Sequence, residues 1–222
     1  MTPVTEIDGP RLAPASGGEA KKLVILVHGY GADGNDLIAL GEYWQRRLPD
    51  AAFVAPHAPE RCEMNPFGYQ WFPIDTLTPG ERIDGLEAVA PVLESFIDRE
   101  LTRHALEAED LALVGFSQGT MLSLHVGLRR TTPVAGILGF SGMLAEGPDF
   151  ENEIRAKPPV LLVHGDRDEL IPPQATLDAA ERLGRLGVPV RHHISQGMAH
   201  GIAEDGLVLG GEFLETVLGQ GR

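Results

Sequence analysis

The pentapeptide GFSQG at residues 115–119 constrains the fold more than any other stretch of this chain. It follows an apolar run at 111–114 and precedes a helix-like stretch at 120–130. A serine on a sharp turn between a strand and a helix needs small neighbours, because the turn brings the two elements within side-chain distance of each other. A chain with 27 glycines produces this pattern easily, so its position between a strand and a helix is the specific part. Such a turn exposes the hydroxyl of Ser117.

Short apolar runs alternate with helix-like stretches along most of the chain. Residues 22–27 read KLVILV, which is typical of a strand covered on both faces. Further strands are predicted at 51–55, 111–116, 134–140, 160–164 and 188–194, and helices at 37–48, 81–106, 120–130, 175–186 and 207–218. This alternation predicts an open, mainly parallel sheet with helices on both faces. We expect residues 1–222 to form a single domain, in which 1–21 supply an edge strand at 4–12 and a loop.

Local signals make some finer predictions. Asn35 or Asp36 is expected to cap the helix at 37–48, and Pro49 to stop it. Pro91 should kink the helix at 81–106, because proline removes a backbone donor. Residues 57–80 read as one long irregular stretch, which is unusual unless the stretch has a function.

Polar residues gather where three of the predicted strands end. Ser117 follows one strand, HGDRD at 164–168 follows another, and GMAH at 197–200 comes shortly after the last. In open parallel sheets, reactive groups collect at the carboxyl ends of the strands. A serine hydroxyl is a weak nucleophile until an imidazole takes its proton, and the imidazole needs a carboxylate to orient it. The segments supply these groups in the order Ser, Asp, His.

With these segments assembled, the chain resembles the phospholipase/carboxylesterase family of α/β-hydrolases, which includes the acyl-protein thioesterases. The resemblance covers roughly residues 22 to 218. It rests on the following motifs: His28-Gly29-x-Gly31, Pro56-His57-Ala58-Pro59, Gln70-Trp71-Phe72, GFSQG at 115–119, His164-Gly165-Asp166-x-Asp168 with Ile171-Pro172, and Gly197-x-x-His200-Gly201. They are specific together rather than singly.

The resemblance implies a catalytic triad of Ser117, Asp168 and His200. It also implies an oxyanion hole formed by the backbone N–H groups of Tyr30 and Gln118. Leucine is often found at position 30 in the family, so Tyr30 is a departure that should leave the backbone donor intact but reshape the acyl site. The implied fold is an α/β-hydrolase without a separate cap domain, and small members of the family are often homodimers.

Each of these residues has a structural alternative. Ser117 could simply cap a helix, and Asp166 competes with Asp168 as the acid, with Asp166 otherwise tying down its loop. His28 and His164 end strands beside the expected site, where bracing a loop is the preferred role. The remaining histidines, 57, 104, 125, 192 and 193, are read as structural or solvated, and Cys62 as an inert thiol. We assign substrate contacts to Phe67, Trp71, Phe72, Met143 and Met198.

The composition limits which binding partners and which cellular compartment we expect for this chain. The formal net charge of −14 and the pI near 4.9 disfavour nucleic acid and anionic membranes, both of which attract clustered Lys and Arg. The single cysteine excludes an intrachain disulfide and a cysteine-based metal cluster. Residues 1–20 lack the basic start and apolar core of a signal peptide. We expect a soluble, cytoplasmic protein without stable membrane association.

The sequence thus predicts a serine carboxylesterase that hydrolyses small-molecule esters of short to medium acyl chains through an acyl-enzyme. This chemistry needs neither a metal nor a cofactor. A lysophospholipase or an acyl-protein thioesterase is the alternative that the resemblance implies, and a peptidase or lactone hydrolase would share the chemistry. A hydrolase-like binding scaffold is disfavoured, because such scaffolds usually lack a triad member.

Overall fold

A seven-stranded sheet forms the centre of the protein, as seen in a computed structural model that describes residues 4–74 and 78–219. The strand order is β1-β3-β2-β6-β7-β8-β9, and every pairing is parallel except that of β1 with β3. The strands are β1 Arg11–Leu12, β2 Lys22–Val27, β3 Ala51–Val54, β6 Leu111–Phe116, β7 Gly136–Phe140, β8 Val160–Gly165 and β9 Val190–Ser195. The prediction of a mainly parallel sheet is confirmed.

Six α-helices within the described residues cover the two faces of this sheet. They are α1 Gly34–Trp44, α2 Pro79–His104, α3 Gln118–Arg129, α4 Phe150–Glu153, α5 Gln174–Arg185 and α6 Glu204–Gly219. The apolar sides of α1 and α6 pack on one face, whereas α2, α3 and α5 pack on the other. Residues 23–27 of β2 are fully buried between these layers, which explains their uninterrupted apolar sequence.

Several boundaries differ from the predicted ones for local reasons. Helix α1 is capped by Asp33, whose side chain accepts from the amides of Asn35 and Asp36, so neither Asn35 nor Asp36 is the cap. It ends at Trp44, before Pro49 could stop it. The edge strand expected at 4–12 is reduced to the two residues of β1. Pro91 does lie inside α2, at an exposed position.

The stretch at 57–80 is more regular than predicted. Strands β4 (Glu60–Arg61) and β5 (Tyr69–Gln70) pair antiparallel into a hairpin, and α2 already begins at Pro79. Residues 75–77 of this stretch lie outside the described residues. Tyr69 also bridges Ala32, which fastens the hairpin to the loop that follows β2. The hairpin therefore reaches the sheet edge where β2, β6 and β8 end.

No helix among residues 4–74 and 78–219 is both long and apolar enough to cross a lipid bilayer.

Candidate active site

Ser117 stands on a strained turn between β6 and α3. Its backbone has φ 54° and ψ −115°, in the region that L-residues rarely adopt. Its amide donates to the carbonyl of Phe140 at 2.8 Å, which holds the turn against the end of β7. Residues kept in such conformations cluster at functional sites, because the surrounding structure must hold them there.

The two flanking glycines make this turn sterically feasible. A Cβ added to Gly119 would lie 1.9 Å from the carbonyl oxygen of Val27, at the end of β2. A Cβ added to Gly115 would lie 2.4 Å from the carbonyl oxygen of Gly119. Both neighbours are backbone atoms that cannot rotate away, so the spacing of the motif reflects close packing of β2, β6 and α3.

His200 and Asp168 meet at the same sheet edge. His200 Nδ1 lies 2.6 Å from Asp168 Oδ2, and the other oxygen, Oδ1, accepts from the amides of Leu170 and Ile171 at 2.9 Å each. The carboxylate is fully buried, whereas the His200 ring is 17% exposed. Burial alone raises the pKa of Asp168, but the hydrogen bonds from Ile171, His200 and Leu170 outweigh it and keep this pKa below its ordinary value. An ionised Asp168 then holds the Nδ1–H tautomer of His200.

His164 supports Asp168 from behind. Its Nδ1 lies 2.7 Å from Thr176 Oγ1, and its Nε2 lies 2.8 Å from the carbonyl of Ile171 and 3.0 Å from Asp168 Oδ2. The carbonyl can only accept, so Nε2 carries the proton and Nδ1 accepts from the threonine hydroxyl. This buried ring therefore fixes the 168–171 turn and directs the positive end of an N–H dipole toward the carboxylate.

Asp166, the sequence's other candidate acid, has a different position. Its Oδ1 accepts from the amide of Gly197 at 2.6 Å, which ties the loop after β8 to the turn before His200. His200 contacts Asp168 rather than Asp166.

A cavity of about 360 Å³ opens between the loop after β2, the start of α2 and the turn that carries Ser117. Ser117 and His200 both line it. Most of the remaining wall is apolar, with these side chains: Phe72, Ile74, Phe116, Met121, Met143, Leu170 and Ile171. The His200 ring packs against Phe116, with ring centroids 5.1 Å apart.

The substrate contacts assigned from the sequence are only partly in this wall. Phe72 and Met143 line the cavity. Phe67 is 86% exposed, and Trp71 is buried beneath the loop after β2, where its Nε1 donates to the carbonyl of His28. Met198 is not part of the lining, and its carbonyl accepts from the amide of Arg167 instead. Phe67, Trp71 and Met198 are not among the residues that line the cavity, and their contact with the substrate stays a prediction.

Tyr30 and Gln118, the expected sources of oxyanion-hole amides, both line the cavity. The loop that carries Tyr30 is held by the hairpin of β4 and β5. Gly31, with φ 77°, donates its amide to the carbonyl of Tyr69 at 2.9 Å, and its own carbonyl accepts from Asn65 Nδ2 at 2.7 Å. The position of Tyr30 therefore depends on residues far from it in sequence.

The side chain of Gln118 links the serine turn to the cavity wall. It is buried, with Oε1 accepting from the Trp71 amide at 2.9 Å and Nε2 donating to the Phe72 carbonyl at 2.8 Å. These two bonds hold the 71–72 backbone in place. No pattern in the sequence could have identified this contact, which joins residues 46 and 47 positions apart.

His28 braces the neighbouring loop, as the sequence suggested. The amide of Ala58 donates to its Nε2 at 3.0 Å, so its Nδ1 carries the proton that bonds to the Gly29 carbonyl at 2.8 Å. Burial lowers the pKa of His28, which favours this neutral form. His57 accepts from the amide of Gly34, and His193 contacts Asp205 on α6, so both act structurally.

Within residues 4–74 and 78–219, no three His, Cys, Asp or Glu side chains are grouped so that they could hold a metal ion. The free thiol of Cys62 is buried, and Cys62 is not among the residues that line this cavity.

Comparisons with known proteins agree with this architecture. A family model described as phospholipase/carboxylesterase matches residues 13–218. The chain is 31% identical over 194 residues to acyl-protein thioesterase 1 of Gibberella zeae, covering 80% of this chain and 82% of that protein. It is 26% identical over 183 residues to esterase YpfH of Escherichia coli, covering 82% and 77% respectively.

Solved structures extend the match to the fold. The crystal structure of esterase PE8 superposes with a TM-score of 0.93 at 46% identity, covering 96% of this chain and all (100%) of that one. The predicted α/β-hydrolase fold is thereby confirmed. Since the family model spans nearly the whole chain, this protein belongs to the phospholipase/carboxylesterase family of serine hydrolases.

Proposed function

We propose that this protein is a carboxylesterase that hydrolyses esters of short to medium acyl chains with a triad of Ser117, His200 and Asp168. One observation carries the proposal. Ser117, on its strained turn, shares a cavity with His200, whose Nδ1 lies 2.6 Å from the buried carboxylate of Asp168. The three groups have the roles of nucleophile, base and orienting acid.

The reaction proceeds in two halves. Ser117 Oγ attacks the ester carbonyl while His200 Nε2 takes the hydroxyl proton, and the imidazolium is stabilised by Asp168. The alcohol leaves with the proton from His200, which gives an acyl-enzyme. Water then attacks the acyl-enzyme with His200 again as base, and the acid is released. The main-chain N–H groups of Tyr30 and Gln118 stabilise the oxyanion in both halves.

The cavity wall supports an apolar acyl group. Met121, Met143 and Leu170 belong to a lining that is mostly aliphatic and aromatic around a volume of about 360 Å³. Burial of methylene groups against such a wall contributes binding energy that rises with chain length until the cavity is filled. Short and medium chains are therefore the preferred substrates.

A thioester is the second candidate substrate. The relative from Gibberella zeae is named an acyl-protein thioesterase, and the same attack at a carbonyl carbon releases a thiol in place of an alcohol. Measuring kcat/KM on esters of increasing acyl-chain length, and then on the matching thioesters, shows which of the two substrate classes the protein prefers.

The decisive variant is Ser117→Ala, measured on p-nitrophenyl butyrate. We expect kcat to fall by roughly 10³- to 10⁶-fold, because the members of a triad act as a unit. Ser123→Ala is the matched control: Ser123 lies on α3, the helix that follows Ser117, and is fully buried, and its Oγ has no hydrogen-bond partner among the described residues. Wild-type turnover by Ser117→Ala would refute the proposal.

A further inference from the structure

The wall of the cavity contains a permanent positive charge. Arg82 lines the cavity together with the apolar side chains of Phe72, Ile74 and Met143. No aspartate, glutamate or lysine is among the described residues that line it. A guanidinium stays charged at every pH at which a protein is folded. Among the described residues, Arg82 therefore places a cation in the cavity wall without an acidic side chain beside it.

Arg82 also has no acceptor elsewhere among residues 4–74 and 78–219. Its Nε is buried without a hydrogen-bond partner, and none of the ion pairs within these residues involves it. Other partly buried arginines are paired: Arg11 with Glu100, and Arg129 with Glu153. The chain has 32 acidic residues against 18 basic ones, so acidic partners are plentiful. Within the described part of the chain, the Arg82 charge is thus not neutralised by an acidic side chain, unlike the charges of Arg11 and Arg129.

The location of Arg82 gives the helix no benefit. It lies in the first turn of α2, where the capping box of Thr78 and Glu81 satisfies the helix start. The N-terminal end of a helix carries a partial positive charge, so an additional cation there is unfavourable. The helix dipole of α2 therefore does not stabilise the Arg82 charge.

We propose that Arg82 binds a carboxylate on the substrate, so that the preferred substrates are half-esters of dicarboxylic acids. The inference rests on the proposed ester hydrolysis at Ser117. The planar guanidinium fork suits a carboxylate, which would accept two parallel N–H bonds. The methylene chain between the two ends of the substrate packs on the apolar wall formed by Phe72, Ile74 and Met143. The formal net charge of −14 disfavours anions in general, and a local cation in the cavity offsets this effect.

The test uses two substrates that differ only in this charge: the p-nitrophenyl monoester of adipic acid, and the same compound with its free carboxylate capped as a methyl ester. We expect wild-type kcat/KM to be about tenfold or more higher for the free carboxylate, as for a charge-assisted hydrogen bond in a partly open site. In Arg82→Gln this preference should disappear, so that kcat/KM for the free carboxylate falls to the value that the same variant shows for the capped ester. Arg46→Gln is the matched control, because Arg46 is exposed and does not line the cavity.

A second variant, Arg82→Glu, tests the same inference if Arg82→Gln folds poorly. Arg82→Glu should reverse the preference, so that p-nitrophenyl 6-aminohexanoate is hydrolysed faster than the adipic monoester. Equal kcat/KM for the free and capped adipic esters in the wild type would overturn the inference and leave the proposed esterase standing. The inference is also overturned if the preference survives in Arg82→Gln. Hydrolysis of both esters by Ser117→Ala at the wild-type rate would overturn the proposed function itself.

Discussion

Replacement of Gln118 by alanine tests how far the catalytic turn and the cavity wall depend on each other. The proposed oxyanion donor at this position is the main-chain amide, which survives the change. What the change removes is the buried side chain that bonds to the Trp71 amide at 2.9 Å and to the Phe72 carbonyl at 2.8 Å. Gln118→Ala should therefore damage stability and cavity shape while leaving the reacting groups in place.

The expected loss of stability follows from the two backbone groups that lose their hydrogen-bond partner, the Trp71 amide and the Phe72 carbonyl. Trp71 is 1% exposed and Phe72 is 3% exposed, so water cannot easily replace the lost partners. Each unsatisfied group costs about 1–2 kcal/mol, and the void left by the shortened side chain adds about 1 kcal/mol. We expect the free energy of unfolding to fall by about 3–5 kcal/mol. Turnover should fall by about 10- to 100-fold, far less than in Ser117→Ala, because the 71–72 backbone moves while the nucleophile remains.

The assay is urea unfolding followed by fluorescence of the two tryptophans, with kcat/KM on p-nitrophenyl butyrate measured on the same preparations. Gln174→Ala is the control, since Gln174 is exposed and its side chain donates to Asp178 on the next turn of α5. A destabilisation below about 1 kcal/mol would refute the linking role of Gln118. A loss of turnover as deep as that of Ser117→Ala would instead assign the side chain to the chemistry.

The other two predictions concern buried histidines. Burial, aided by Arg129, lowers the pKa of His125 to about 4, below the unfolded value of about 6.5. The free energy of unfolding that depends on neutral His125 is present above pH ~6.5 and is lost as the pH falls toward 4, by at most about 3 kcal/mol. The urea midpoint of His125→Leu should therefore vary less between pH ~6.5 and pH ~4 than that of the wild type. His164→Phe should lower kcat/KM by about 10- to 100-fold, because the 168–171 turn loses the ring that holds it and Asp168 is no longer fixed opposite His200. Wild-type kcat/KM in this variant would refute the supporting role of His164.

The fold was predictable where the sequence signal is local. Residues 22–27 are apolar because both faces of β2 are buried, and the turn at 115–119 needs its two glycines because backbone atoms lie within 2.4 Å of the added Cβ positions. The cap of α1 was misplaced, because Asp33, Asn35 and Asp36 are all good capping residues and only the backbone geometry distinguishes them. The β4–β5 hairpin has strands of two residues, too short for a period to be visible.

The sequence was enough to predict which segments form the site. It was not enough to predict which side chains in those segments contact one another. Asp168 and Asp166 lie two positions apart on one loop, and the tertiary structure directs one to His200 and the other to the amide of Gly197. Arg82 gave no signal, because an arginine at the start of an amphipathic helix is typical of a solvated face. Phe67 was assigned to the substrate site because aromatic residues in a loop suggest a pocket; its side chain is exposed and is not part of the cavity lining, so the assignment stays a prediction. Each of these outcomes depends on contacts between distant parts of the chain.

Covalent labelling at Ser117 tests the central claim most directly. The protein is treated with a fluorophosphonate probe, digested, and the modified residue is located by mass spectrometry. A serine activated by His200 and Asp168 predicts one adduct on the peptide that contains Ser117, formed together with complete loss of esterase activity and absent in His200→Ala. Loss of activity with the adduct on another residue, or full activity with Ser117 completely labelled, would contradict the triad.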